Sequence, residues 1–129
     1  MILKVRKSVL KGEVNIPASK SHTIRAIAIA AMAEGESVIE KPLIPSDALS
    51  AVECYRKMGA KIDISDNNKW LITGTSGKIN APQDFIDVGN SGTTLRLAMG
   101  SAALAEKNTV IKNAYRAVFS NAEYCMAPS

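Results

Sequence analysis

Aromatic side chains are nearly missing from this sequence: two Phe, three Tyr and one Trp amount to 5% of it. A core must therefore be filled by Ile, Leu, Val, Met and Ala. The stacking platforms that nucleic-acid readers use are also not on offer. Cysteine is as scarce. Cys54 and Cys125 lie far apart, with no CxxC pair and no histidine cluster around them. They read as free thiols of a reducing compartment, and a structural metal site is excluded. The single histidine, His22, leaves a serine or cysteine triad without support, and it reads as an exposed helix residue. Long apolar runs are lacking too. The longest, Ala26 to Ala33, has eight residues, far short of the roughly 20 that cross a bilayer. Met1 to Lys7 alternates apolar and charged residues, unlike a secretory signal. The expectation is a cytoplasmic protein with neither membrane nor nucleic acid as partner.

What the chain does contain suits a folded domain, or a portion of a larger one. It has 129 residues, 47% hydrophobic and 22% charged, a balance that excludes wholesale disorder. The net charge of +4 is spread along the chain rather than gathered into a stripe. A modest positive excess of this kind fits small anionic ligands, attracted by a local field.

Apolar periodicity and turn residues give an order of elements. Ile2–Val5 and Val14–Ile16 read as two short strands around Lys11-Gly12, ended by Pro17. A helix starts near Ser19 or Ser21 and carries Ile24, Ile27, Ala28 and Ala31 on one face, with Gly35 as its stop. Residues 37–40 read as a strand. A second helix follows Ser46, expected as its cap with Asp47 in the first turn, and stops at Gly59. Lys61–Ile64 and Trp70–Ile72 form a hairpin through Asp66-Asn67-Asn68, residues that tolerate left-handed backbone. Phe85–Val88 is a strand, Gly89–Gly92 a tight turn, and Thr93 to about Leu104 a third helix. The fold class is α/β (α+β), with a repeating βαβαββ-type unit of which about one and a half copies are present.

Two segments could carry chemistry. In Ser19-Lys20-Ser21-His22-Thr23-Ile24-Arg25, Ser21 and Arg25 share a helix face and Lys20 stands at the helix mouth. A helix N-terminus attracts anions through unpaired N–H groups and the dipole, so hydroxyl, ammonium and guanidinium together make a receptor for phosphate or carboxylate. The alternative is an ordinary capped helix with solvated charges. In Asp87-Val88-Gly89-Asn90-Ser91-Gly92-Thr93-Thr94-Leu95-Arg96, small residues again open a helix with an arginine one turn in; the alternative is a plain strand-to-helix turn. Other motifs fail on spacing. No lysine follows Gly92 as a P-loop requires, and Gly89-Asn90-Ser91-Gly92 is one residue short of a nucleophile elbow. Gly74-Thr75-Ser76-Gly77-Lys78 matches a phosphate loop in composition alone.

Residues 18–26 and 87–96 resemble the two signatures of the 5-enolpyruvylshikimate-3-phosphate synthases, a branch of the enolpyruvyl transferases. Ser46-Asp47 and Arg56–Ile62 also fit that family, and the resemblance runs in order from about residue 1 to 105. It implies a fold of two similar domains, each built from α/β repeats with helices inside and sheets outside, in which the first strands belong with the other domain. It implies transfer of the enolpyruvyl group of phosphoenolpyruvate to the 5-hydroxyl of shikimate 3-phosphate, a step toward chorismate and the aromatic amino acids. No metal and no organic cofactor is implied. Carried over by position, Lys20, Ser21 and Arg25 hold shikimate 3-phosphate, and Lys20 and the Gly92 backbone meet phosphoenolpyruvate. Asn90, Ser91 and Thr93 shape that loop. Residues 106–129 depart from the family pattern and receive no assignment; a shifted or truncated reading frame is the expectation there. The second domain, with the acid–base carboxylates and lysine, is expected to be absent, which leaves no catalytic residue in this chain. The related transferase acting on a UDP-sugar is the runner-up, disfavoured because its signature has Lys-Asn where Lys20-Ser21 stand. A non-catalytic module that binds anions, or self-associates through an apolar interdomain face, is the alternative of a different class.

Overall fold

In a computed structural model of the chain, residues 3, 4, 7, 9 and 11–112 are described, together with the backbone of 124–127. Three helices form, α1 (Lys20–Met32), α2 (Ser46–Lys57) and α3 (Gly92–Ala102), and α1 carries the expected apolar face. Ile24, Ile27, Ala28 and Ala31 of α1 are all buried. So are Ala48, Ala51, Val52 and Tyr55 of α2, at the three- and four-residue steps that face one side of a helix. The strands are β1 (Glu36–Glu40), β2 (Lys61–Asp66), β3 (Lys69–Thr73), β4 (Ile86–Asp87), β5 (Thr109–Lys112) and β6 (Tyr124–Ala127).

Two three-stranded sheets flank the helices. The first, in the order β1-β3-β2, is antiparallel and packs on α1 and α2. Its inner face presents Ile39, Trp70, Ile72 and Ile62, and its outer face carries ladders such as Glu40–Lys69. In the second, β4 runs parallel to β5 and β5 antiparallel to β6; it packs on α2 and α3. Helices thus lie between outward-facing sheets.

The helices run in the same direction, as the contacts at both ends show. At one end Lys20 of α1 meets Asp47 of α2, and Ser50 of α2 lies against Gly89 in the turn before α3. At the other end the Ser101 hydroxyl of α3 joins all three helices: it lies 3.0 Å from the Tyr55 hydroxyl of α2 and 3.1 Å from Met32 Sδ of α1. A hydroxyl has one proton to give. Ser101 gives it to the Leu97 carbonyl (3.1 Å) or to the sulfur, so Tyr55 donates to Ser101.

Four details differ from the sequence reading. Val14–Ile16 form no strand: Val14 and Ile16 are 84% and 87% exposed, with no strand paired to them among the described residues. Leu3 and Lys4 are likewise not in a strand, while Ile2 and Val5 lie outside the described residues. Ser46 does not cap α2; Pro45 occupies the cap position and Ser46 is the first helical residue. The hairpin turn does not use left-handed asparagine. The positive φ angles outside glycine fall on Lys41 and Ser76, and the Asp66 carboxylate instead closes the turn by accepting from Asn68 N at 2.8 Å. Residues 109–112, beyond the last residue given an assignment, form the middle strand of the second sheet.

Helix ends show why the loops take their courses. Past α2, Gly59 (φ +109°) lets Ala60 N reach Tyr55 O and Gly59 N reach Arg56 O, the paired bonds of a Schellman cap. Helix α1 is capped from a distance. Thr75, Ser76 and Gly77 donate their N–H groups to the carbonyls of Ala31, Ala33 and Met32. The loop with phosphate-loop composition therefore spends its N–H donors on a helix C-terminus.

Cys54 and Tyr55, adjacent on α2, are both fully buried. Burial pushes the Cys54 thiol from 9.0 up to about 12, against the pull of Lys57. Burial pushes the Tyr55 hydroxyl from 10.0 to about 12 as well. The unfolded chain would lose these protons first, so their contribution to stability is complete below about pH 9 and disappears as pH rises toward 12. Urea midpoints at pH 7, 9 and 11 should fall only over the upper interval, and less steeply in Cys54→Ala. A midpoint independent of pH across that interval would refute the assignment.

Candidate functional site

The mouth of α1 is built locally. Ser19, in extended conformation, caps the helix by accepting from His22 N at 3.4 Å, and its carbonyl accepts from the Thr23 hydroxyl. That hydroxyl in turn accepts from Leu43 N at 3.1 Å. The contact draws the segment leading into α2 across the start of α1, and so sets the two helix mouths side by side.

Around this mouth Lys20 and Arg25 are exposed and Ser21 is half-buried. The Lys20 ammonium donates to Asp47 Oδ2 at 2.8 Å. Arg25 Nη1 donates to the Ser21 carbonyl at 3.0 Å, which folds the guanidinium back along the helix toward its N-terminus. Ser21 and Arg25 thus share one face, as their spacing implies. His22 is exposed.

The mouth of α3 is made by its turn. Asp87 Oδ1 accepts from Gly89 N at 2.8 Å, Gly89 takes φ +55°, and Ser91 N donates to Val88 O. Ser91 caps α3: its hydroxyl accepts from Thr94 N and lies 2.6 Å from Thr94 Oγ1, both groups buried. That hydroxyl is committed to the turn, so Ser91 shapes the loop. Gly92 is the buried first residue of α3, Thr93 is half-buried, and Asn90 and Arg96 are exposed. A Cβ on Gly89 would stand 3.0 Å from Ser50 Oγ, so the missing side chain lets α2 lie close to this turn.

The structure therefore gathers the two motifs at one end of the helix layer, with the first turns of α2 between them. Three parallel helix N-termini open on the same side, and the partial positive charges of their dipoles add there. What sequence reading missed is Asp47 as a partner of Lys20. Asp47 stood out as a first-turn acid and in the family resemblance, but neither signal pairs it with a lysine 27 positions away.

A separate open cleft of about 550 Å³ lies along α2, lined by Ser46, Leu49, Ser50, Glu53, Lys57, Asp87 and Gly89. It includes none of Lys20, Ser21 and Arg25. Its one cation, Lys57, is engaged by the Phe85 carbonyl at 2.8 Å and lies 3.9 Å from Asp84. Among the described residues no group of three or more His, Cys, Asp or Glu is placed to hold a metal ion. No described helix is long and apolar enough to cross a membrane.

Comparison with known proteins identifies the family. The family model described as EPSP synthase (3-phosphoshikimate 1-carboxyvinyltransferase) matches residues 5–114, and so continues through β5. A 3-phosphoshikimate 1-carboxyvinyltransferase from Acetivibrio thermocellus is 56% identical over 106 residues, 82% of this chain and 25% of that protein. One from Methanothermobacter thermautotrophicus is 48% identical over 112 residues, 86% of this chain and 26% of that protein. A solved EPSP synthase from Acinetobacter baumannii superposes with a TM-score of 0.74 at 30% identity, over 86% of this chain and 25% of that one. The chain spans about a quarter of the length of these relatives. With most of its residues inside the family match, and with close relatives in sequence and in fold, the chain belongs to the EPSP synthase (3-phosphoshikimate 1-carboxyvinyltransferase) family.

Proposed function

We propose that this chain forms one wall of a site that transfers the enolpyruvyl group of phosphoenolpyruvate to the 5-hydroxyl of shikimate 3-phosphate, releasing phosphate. Lys20, Ser21 and Arg25 hold shikimate 3-phosphate. Lys20 and the N–H of Gly92 meet phosphoenolpyruvate, while Asn90, Ser91 and Thr93 set the shape of that loop. The observation that carries the reading is the convergence of the α1 and α3 mouths at one end of the helix layer, each with a basic side chain close by. Both substrates are phosphorylated anions, and both mouths offer N–H groups and cations.

Forming the ether bond at C2 of phosphoenolpyruvate moves protons, and the groups that would move them are not among the residues assigned here. The chain's own part is binding and orientation. Three charge-assisted contacts contribute about 1.5–3 kcal/mol each, against an association cost of at least about 4 kcal/mol. A net of at most about 5 kcal/mol remains, a dissociation constant of roughly 0.2 mM or weaker. Turnover needs donors aimed at the transition state within a closed site, and none is expected from this chain alone.

The test is ligand-observed NMR on the purified chain with shikimate 3-phosphate and, separately, UDP-N-acetylglucosamine. Saturable weak binding of the first, lost in the Lys20→Ala/Arg25→Ala double variant, is expected. Binding of the UDP-sugar in preference would favour the runner-up transferase.

A further inference from the structure

Lys20 opens α1, where its charge is unfavourably placed: the helix N-terminus is itself positive, and the first turn of α1 contains no acidic residue. The compensating carboxylate comes from another helix. Asp47 lies in the first turn of α2, where a negative charge is favoured, and its Oδ2 accepts from Lys20 Nζ at 2.8 Å. The two side chains are 20% and 50% exposed. At that exposure an ion pair adds little to stability, but it restrains a long, flexible side chain. Its anchor is rigid, because the Leu43–Thr23 bond fixes the approach to α2 against α1.

We propose that Asp47 is a positioning residue: it holds the Lys20 ammonium between the mouths of α1 and α2, so that an arriving phosphate or carboxylate meets an oriented donor. An ammonium has three N–H donors, and this bond takes one of them. The inference rests on the reading of Lys20 as a substrate-binding residue. It adds a carboxylate whose effect on an anion is, taken by itself, repulsive, and which acts through the lysine.

The experiment uses the full chain as wild type, Asp47→Asn, Lys20→Gln and the double variant, with Asp47→Glu as the conservative replacement. Side-chain NMR first reads the order of the Lys20 methylenes and ammonium without ligand; inorganic phosphate and shikimate 3-phosphate are then titrated. The expected result is an ordered Lys20 in wild type, and signals collapsing to those of a free lysine in Asp47→Asn. Asp47→Asn should weaken shikimate 3-phosphate binding about five- to tenfold and change nothing in the Lys20→Gln background, while Asp47→Glu recovers part of the loss. Unchanged Lys20 signals in Asp47→Asn would overturn the proposal. An equal loss of affinity with and without Lys20 would do so too, since that marks a carboxylate acting only on its own helix. An ordered wild-type Lys20 with no binding of either anion would instead sink the substrate-site reading, leaving an ion pair without the role assigned to it.

Discussion

Gly74→Ala is expected to destabilise the fold by at least about 3 kcal/mol and lower the melting temperature by about 10 °C or more. A Cβ at this position would overlap the Ala33 carbonyl oxygen and stand 2.5 Å from that of Ala30. Both atoms are backbone at the end of α1, so no side chain can swing aside. Relief would require withdrawing the loop, and with it the bonds from Thr75, Ser76 and Gly77 that satisfy the last carbonyls of α1. Buried carbonyls left without donors cost further free energy. Gly77→Ala is the matched control. Gly77 has φ +75° but open space around it, so the cost should stay near the roughly 1–2 kcal/mol of left-handed backbone. Thermal unfolding of the two variants separates them; equal losses would mean that backbone conformation, not the approach to α1, explains the glycine.

Trp70→Ala should cost about 3–5 kcal/mol. Trp70 is the largest fully buried side chain, placed on the central strand of the first sheet and facing the helices. Its cross-strand partner is Ile39, and Ile72 follows on the same face. Removing the ring leaves a cavity that the close-packed Ile and Ala side chains around it cannot fill. Trp70→Phe should cost well under half as much. It keeps much of the ring contact, and it deletes an indole N–H that has no hydrogen-bond partner among the described residues. Denaturation midpoints decide the matter. A Phe variant as unstable as the Ala variant would show that the indole N–H is satisfied in the folded protein.

The helices were legible because their apolar residues recur at helical spacing. Ile24, Ile27, Ala28 and Ala31 each fall inside the core as that spacing implies. Ser19 capping α1, Ser91 holding the turn before α3 and the 61–73 hairpin follow from short-range chemistry. Misreadings occur where local pattern meets tertiary context. Val14–Ile16 alternates like a strand but joins no edge among the described residues, and a strand's backbone groups need a partner. Ser46 has the right side chain for a cap, but the helix begins one residue earlier in effect, at Pro45. The Gly74–Gly77 loop and the Lys20–Asp47 pair were out of reach for a different reason. Each joins segments tens of residues apart, and no periodicity encodes which helix end a loop will cover or which acid a lysine will find.

The candidate site was legible as two motifs, but not as one place. Their convergence follows from three parallel helices, joined through Ser101 at one end and set side by side at the other, where Lys20 meets Asp47 and Ser50 lies against Gly89.

The most direct test of the binding role is a backbone amide titration of the chain with shikimate 3-phosphate. Saturable shifts centred on Lys20, Ser21 and Arg25, extending to Gly92, are the predicted result. A well-dispersed spectrum in which those amides stay still, or in which the shifts gather in the Ser50–Lys57–Asp87 cleft, would contradict it.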